Sequence, residues 1–164
     1  MLIQQCFSPP SGLVTLCLIV GCGGGVSKAP EEKLVQASGV VQVDGKPAVG
    51  VRIRLTPMIS DGAKTVGGAW AITGNDGSFK FIHWTNKDGV VPGDYLATFS
   101  RMVKPDGSPL GEKESPIMVN AKETIAPKWS SLEVDRQTVE ARRLVVPAAG
   151  KTDIQFSIKS APTA

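Results

Sequence analysis

The chain has 164 residues, of which 41% are hydrophobic and 20% charged, a composition typical of a globular protein of about one domain rather than of a disordered polymer. The net charge is only +3, and the 18 lysines and arginines are scattered along the chain instead of forming a run. Neither feature supports a nucleic-acid-binding protein.

The N-terminal region has the layout of a secretory signal. Residues 13–20 read LVTLCLIV, an apolar run with the length of a signal-peptide h-region, whereas a membrane-spanning helix needs roughly 20 apolar residues. The small residue Gly21 follows, and then Cys22, the last of three cysteines that all lie in the first 22 residues. We therefore predict that residues 1–21 are a lipoprotein signal peptide.

The residues that end this segment match the bacterial lipobox, in which an aliphatic, a tolerated and a small residue precede a lipid-accepting cysteine. Ile19, Val20 and Gly21 occupy these places before Cys22. Cleavage between Gly21 and Cys22 would make the acylated cysteine the first residue of the mature chain. Two or three acyl chains hold a protein on a membrane, whereas one gives only marginal binding.

The alternative for Cys22 is an unmodified thiol in a core strand. Residues 23–25 are three glycines, which weaken a strand and suit a tether, so they favour the lipidated form. We predict an acylated cysteine and flexible linker over residues 22–35. The folded body then begins near Gln36.

Asp-Gly pairs divide the body into short segments. Because aspartate tolerates a left-handed backbone and glycine adopts it freely, this dipeptide is typical of tight hairpin turns. Five of the eight aspartates precede a glycine, namely Asp44, Asp61, Asp76, Asp88 and Asp106. The spacing predicts short strands between turns.

The first strands are SGVVQV, before Asp44, and VRIRLTP, over residues 51–57. Period-two alternation in the second of these places Arg52 and Arg54 on an outward face, where we expect them to be solvated. AWAIT, GNDG and SFKFI then predict a second hairpin, with Lys80 pointing outward. The inward residues of these segments are Val51, Ile53, Leu55, Phe79 and Phe81.

The later strands follow the same period. VVPGDYLATFS predicts a strand in which Tyr95, just after a Pro-Gly-Asp turn, bonds back to the main chain as a corner tyrosine. Residues 132–144, LEVDRQTVEARRL, fit either a short amphipathic helix or a strand, and we favour the strand. TDIQFSIKS closes the chain with isoleucine and phenylalanine facing in. The whole pattern predicts an all-β, antiparallel Greek-key β-sandwich of about seven strands.

The order SGVVQVDGKPAVGVRIRLTP, GNDGSFKF and VPGDYLATFS resembles the carboxypeptidase regulatory-like, or transthyretin-like, domain of small bacterial lipoproteins. The resemblance covers residues 36–159 and implies a prealbumin-like domain over residues 36–160, followed by the tail 161–164. It implies an accessory or binding module without catalysis. The insert between Lys104 and Thr138 departs from the family, which leaves its strand assignments open.

The body offers few groups for chemistry. His83 is the sole histidine, and the spacing suggests no nucleophile or carboxylate to work with it, so we expect no enzyme. One histidine and no body cysteine cannot assemble a zinc site, and we interpret the Asp-Gly pairs as turns rather than as calcium ligands. We therefore predict no metal and no cofactor.

Three tryptophans remain as possible ligand contacts. Trp70, Trp84 and Trp129 could form an aromatic platform that stacks on sugar rings, or they could pack in the core. Trp129, in the proline-flanked loop APKWSS, is predicted to be the most exposed.

These observations predict a lipid-anchored, non-enzymatic cell-envelope protein whose β-sandwich is a structural or protein-interaction module. The alternative is a carbohydrate-binding module of the envelope that uses loop aromatics. The expected partners are the membrane, through the lipid on Cys22, and an envelope protein or glycan, but no nucleic acid. Gly23 replaces the aspartate that retains some lipoproteins at the inner membrane, so we expect the outer membrane, on either its periplasmic or its surface face.

Overall fold

A computed structural model describes residues 33–58, 67–132 and 136–162, all within one compact unit, Glu32–Ala164. Most of the regular structure is β. In chain order the strands are β1 Ala37–Val43, β2 Lys46–Pro47, β3 Arg52–Pro57, β4 Ala69–Ile72, β5 Ser78–Lys80, β6 Ile82–His83, β7 Gly93–Ser100, β8 Met102–Val103, β9 Lys122–Glu123, β10 Arg143–Val146 and β11 Lys151–Ile158. The two helices are α1, Pro127–Ser130, and α2, Arg136–Arg142.

The strands form two main sheets and a small ribbon. In the first sheet, β1 pairs in parallel with β11 and antiparallel with β2 and β5. The second sheet has the order β10-β7-β3-β4-β6, and all of its pairs are antiparallel. β8 and β9 make a separate two-stranded ribbon. The prediction of a mostly β protein with several antiparallel sheets is confirmed.

The two sheets share one core. Phe99 of β7 packs edge-on against Phe156 of β11, with ring centroids 4.9 Å apart, and Phe156 also stacks on Phe79 of β5 at 6.0 Å. The burial patterns of β3, β7 and β11 match the predicted alternation. The residues predicted to face inward are buried, and the residues between them are more exposed. Burial of these side chains is the main driving force for this part of the fold.

Two local predictions are confirmed. The hydroxyl of Tyr95 donates a hydrogen bond of 2.6 Å to the carbonyl oxygen of Val91, so Tyr95 is a corner tyrosine. Asp44 and Gly45 both have positive φ, 52° and 78°, which is the backbone of the tight turn predicted between the first two strands. Asp61 lies outside the described residues.

The predicted second hairpin is wrong. β4 and β5 follow each other closely in sequence, but β4 pairs with β3 and β6, whereas β5 pairs with β1. The chain changes sheets at a tight turn in which Gly74 donates to Ser78 and Gly77 donates to Gly74. Gly77 also accepts a hydrogen bond from the amide of Val41, which attaches the turn to the first sheet.

Two other expectations need correction. Part of the segment 132–144, predicted as a strand, is the helix α2, and only its end continues into β10. The physical reason is Arg142, which is fully buried and donates from Nη1 to the carbonyls of Trp129 (3.0 Å) and Ser131 (2.7 Å), so that α2 is held against α1. In addition, the pairing of β1 with β11 is parallel, not antiparallel as predicted.

Within the described part of the chain, no helix has the length and apolar character needed to cross a membrane.

Candidate functional site

A groove with a volume of about 700 Å³ lies on the outer face of the five-stranded sheet. Strands β3, β4 and β7 form its floor. Glu112, from the segment between β8 and β9, and Ser130, from α1, form parts of its wall. We call this surface the outer groove.

Strand alternation determines which side chains reach the outer groove. Because Ile53 and Leu55 point into the core, Arg52 and Arg54 must point to the opposite face of β3. Both arginines that were predicted to point outward therefore line the outer groove, where Arg54 is exposed, as predicted, and Arg52 is half-buried. Lys80, the third predicted solvated residue, is exposed on β5 in the other sheet.

Antiparallel register sets the neighbours of the two arginines. Arg54 lies opposite Trp70 on β4 and Thr98 on β7. Arg52 lies opposite Ile72 and Ser100 in the same two pairs. Directly opposite residues on one face are near enough to interact, so each arginine has an apolar neighbour on one side and a hydroxyl on the other.

The guanidinium groups of the groove are weakly held. Arg52 Nη2 donates to the Gly111 carbonyl oxygen at 3.5 Å, and Arg54 makes no side-chain hydrogen bond or ion pair among the described residues. Arg143 is the contrast, since it forms a bidentate pair with Asp94 with distances of 2.6 to 3.1 Å. That pairing raises the pKa of Arg143 and occupies its donors. Arg54 keeps its donors available.

Glu114, two residues after Glu112, holds the backbone of the groove wall in place. The Glu114 carboxylate accepts from the amide of Gly111 at 2.7 Å and from Lys104 Nζ at 3.2 Å. The first of these bonds is the main cause that lowers the pKa of Glu114, and the Lys104 bond adds to it. This closed turn holds Gly111, and therefore the carbonyl that Arg52 contacts, beside the outer groove.

The three tryptophans occupy different environments. Trp70 is half-buried and lines the outer groove, and Trp84 is 64% exposed. Trp129 is only 8% exposed, so the prediction that it would be the most exposed is wrong. It packs edge-on against Phe99 with centroids 6.3 Å apart, because α1 turns its indole into the core. Its indole N–H has no hydrogen-bond partner among the described residues.

Strand register relates the backbones of Trp70 and Trp84, while the Trp84 ring lies 5.6 Å from that of His83 and the Trp129 ring packs in the core. Trp70 pairs with Ile82, and the amide of Trp84 donates to Gly68, which continues that ladder by one step. Trp84 is thus a diagonal neighbour of Trp70, a separation of about 7–8 Å between backbones that aromatic side chains can reach across. Contact of any tryptophan with a ligand stays a prediction.

His83 is buried at the end of β6, and its Nδ1 lies 2.8 Å from Thr85 Oγ1. Gly67 packs closely against His83 and Trp84, where no larger residue would fit without movement. Among the described residues, no three histidine, cysteine, aspartate or glutamate side chains are grouped in a way that could hold a metal ion.

Sequence reasoning placed Arg52 and Arg54 on the correct face but missed that this face is concave. The sequence signal that exists is alternation within β3. The neighbours Trp70 and Thr98 come from strand register, and the wall comes from the segment that follows β8, and neither can be read from local periodicity.

Gly21 and Cys22, the predicted cleavage and lipidation residues, lie outside the described residues. Comparison of the chain with protein-family models, with curated proteins and with solved structures gives no match.

Proposed function

We propose that this chain is a lipid-anchored, non-enzymatic protein of the cell envelope, whose β-rich body is a structural or protein-interaction module. One observation carries the proposal: an apolar run of h-region length ends in Ile19, Val20, Gly21 and Cys22, which have the residue types of a lipobox in the correct sequence order. Three glycines follow. Outer-membrane location is part of the proposal and rests on Gly23.

The proposed body is a Greek-key β-sandwich of about seven main strands in the transthyretin-like class. Two sheets that share one core are compatible with such a sandwich. The corner tyrosine Tyr95, after its Pro-Gly-Asp turn, and the Asp44 turn also agree with the motifs on which the resemblance rests.

Metabolic labelling tests the anchor. Bacteria that produce the full chain are grown with an alkyne fatty-acid analogue, and label and membrane association are measured. We expect both for the natural sequence and neither for Cys22→Ser, because no other residue occupies the acceptor place of the lipobox. Cys17→Ser is the matched control and should keep both. Label that persists in Cys22→Ser, or is absent from the natural chain, would contradict the proposal.

Carbohydrate binding is the second candidate function. The observation that favours it is the pair formed by Trp84, largely exposed, and Trp70, in the outer groove and diagonal to it. Aromatic faces provide large, amphipathic contact areas of the kind that sugar rings stack on. A glycan array probed with the full chain tests this. We expect signals that Trp84→Ala reduces and that Trp129→Phe, a change in the core, leaves in place.

A further inference from the structure

We propose that the outer groove binds a carboxylate-bearing oligosaccharide, of the class of uronic acid oligomers, with Arg54 as the main carboxylate contact. This inference rests on the second candidate function and names its ligand class. It does not depend on lipidation of Cys22.

The size of the outer groove fits such a ligand. Its volume of about 700 Å³ lies within the range usual for sites that hold small organic molecules. The outward side chains of its floor are apolar on β4 and polar on β3 and β7, and the groove is partly open to solvent. A short, linear oligomer could therefore lie across the face and continue beyond it.

The position of the groove on a sheet face favours a sugar over a peptide. Extended peptides commonly bind by adding to a free sheet edge, where main-chain donors and acceptors are available. β3 is not an edge, because it pairs with β4 on one side and β7 on the other. A ligand of the outer groove has to be recognised by side chains, which suits a ring that carries hydroxyl and carboxylate groups.

Charge identifies the anionic character of the ligand. Arg52 and Arg54 are two residues apart on one face, which separates their backbones by roughly 6.6 Å. Neither forms an ion pair among the described residues, and Arg54 is exposed. Arginine binds carboxylates through two parallel N–H donors, and these charge-assisted bonds are about twice as strong as the bonds that neutral hydroxyls accept. The guanidinium group of Arg54, free within the described part of the chain, and the donors of Arg52 that do not contact Gly111 thus complement carboxylates on a ligand.

The neighbours of Arg54 complete the site. Trp70, directly opposite on β4, offers an aromatic surface for the C–H face of a sugar ring. Thr98, opposite on β7, donates its hydroxyl proton to the Arg54 carbonyl oxygen at 3.4 Å, and its hydroxyl oxygen can accept a hydrogen bond from a ligand. A uronic acid has these three features in one ring: a carboxylate, an apolar face and hydroxyls.

Glu112 opposes binding of an anion, so its substitution provides a second test of the proposal. It lies in the wall of the outer groove and forms no ion pair among the described residues. Its carboxylate repels a negatively charged ligand, so its neutralisation should improve binding, whereas neutralisation of Arg54 should weaken it.

Binding of trigalacturonate to the full chain, purified in detergent, tests the proposal by isothermal titration calorimetry. The control ligand is the same trisaccharide with its carboxylates reduced to alcohols. We expect the acidic sugar to bind about tenfold more tightly than the neutral one, because a hydrogen bond to a charged group is worth about that much. Binding should also weaken as salt is raised.

Variants assign the binding to the outer groove. Arg54→Gln should lower the affinity for trigalacturonate about tenfold, and Glu112→Gln should raise it about twofold. Lys80→Gln removes an exposed cation from the other sheet and should leave the affinity unchanged. Arg54 is exposed, so Arg54→Gln should fold normally, and circular dichroism checks this. Arg54→Lys, which keeps the charge but loses the two-donor geometry, should bind with intermediate affinity.

The outcomes separate this inference from the functions on which it builds. Equal binding of the acidic and neutral sugars, or an equal effect of Lys80→Gln and Arg54→Gln, overturns the inference and leaves carbohydrate binding standing. Absence of binding for both sugars at millimolar concentration, together with an empty glycan array, overturns both. Neither result affects the labelling experiment on Cys22.

Discussion

At the scale of single residues, Gly39 shows how closely β1 and β11 approach. It lies where the register of the parallel pair shifts, between Ala37 and Gly39. A Cβ atom on Gly39 would overlap the carbonyl group of Ile154 on β11. Because the obstructing atoms belong to the backbone, no side-chain rotation can relieve the overlap.

We expect Gly39→Ala to lower the free energy of unfolding by about 1–3 kcal/mol, since the two strands must separate to admit the methyl group. Gly74→Ala is the matched control: its nearest non-neighbouring atom would be 3.4 Å away and its φ is not positive, so its effect should stay within about 0.5 kcal/mol. Urea denaturation followed by tryptophan fluorescence measures both. Equal losses of unfolding free energy in the two variants would show that the close approach of β1 and β11 does not cause the destabilisation.

Asp106 is a titratable residue that stabilises its own turn. Its Oδ1 accepts hydrogen bonds from the Ser108 hydroxyl at 2.6 Å and from the Ser108 amide at 2.9 Å. These bonds, with the hydroxyl first, lower the pKa of Asp106 from its ordinary value of 3.8. A lowered folded-state pKa means that the stabilisation is fully present above the ordinary value and is lost as the pH falls through the lowered one.

We therefore expect the Asp106 carboxylate to titrate below pH 3.8 in an NMR titration of the folded chain. Ser108→Ala removes the main cause and should raise this pKa towards the ordinary value. Ser157→Ala, on an exposed position of β11, should not change it. If Ser108→Ala leaves the pKa of Asp106 unchanged, the hydrogen bonds from Ser108 are not the cause of the lowered pKa.

Residue environments were predictable where a local rule applies. Tyr95 follows a Pro-Gly-Asp turn, and that local pattern was enough to predict its bond to the main chain. Trp129 shows the limit. The proline that precedes it indicates a loop, but the Trp129 side chain packs on Phe99, which is distant in sequence. Local composition carries no information about that contact.

At the scale of elements, Glu123 joins the end of β7 to the β8–β9 ribbon. Its carboxylate accepts from Ser100 Oγ at 2.6 Å and from the amides of Arg101 and Ile125 at 2.9 and 2.8 Å. It also accepts from the amide of Thr124 at 2.9 Å. One exposed side chain thus satisfies donors from two segments that are distant in sequence.

We expect Glu123→Ala to increase hydrogen–deuterium exchange at the amides of Arg101 and Ile125, because both lose their acceptor. Stability should fall by about 1–3 kcal/mol if those donors stay inaccessible to water. Lys122→Ala, the neighbouring residue on β9, is the control and should leave the exchange of these amides unchanged. Equal protection of these amides from exchange in the two variants would mean that the β8–β9 ribbon stays attached to the end of β7 without Glu123.

Period-two alternation predicted where strands lie but not how they pair. The segments before and after GNDG both alternate correctly, yet the turn joins different sheets because Gly77 bonds to Val41 in β1. α2 was missed for a related reason. Its sequence suits helix and strand alike, and the deciding contact, Arg142 with the carbonyls of α1, lies outside any local window.

At the scale of the whole molecule, the aromatic contacts between Phe99, Phe156 and Phe79 join the two sheets into one core. Sheets that share such a core should unfold together rather than one after the other. The contact between Phe99 and Phe156 is the direct test, since the two residues belong to different sheets.

A double-mutant cycle with Phe99→Leu and Phe156→Leu should give a coupling energy of about 0.5–1.5 kcal/mol, the range of aromatic pairs. Phe99→Leu combined with Val145→Ala, an exposed position of β10, should be additive within about 0.5 kcal/mol. Urea denaturation monitored by circular dichroism supplies the four free energies. Additivity in the Phe99 and Phe156 cycle would argue against a shared core.

The mostly β character and the core faces were accessible from sequence, but the outer groove was not. Arg54 could be assigned to the outward face from its alternation with Ile53 and Leu55. Its neighbours Trp70 and Thr98 follow from register between strands, and register depends on the global packing of both sheets.

The parallel pairing of β1 with β11 has a consequence for synthesis. β1 pairs with β2 and β5, which follow it closely in the chain, but its parallel neighbour is the last described strand, β11, where Val43 pairs with Ile158. Pairings of such long sequence separation form slowly and late. Because Phe156 of β11 is part of the core that the two sheets share, this core cannot close before β11 has been synthesised. Under the export that we propose, this delay would keep the chain unfolded while it passes through a translocation channel.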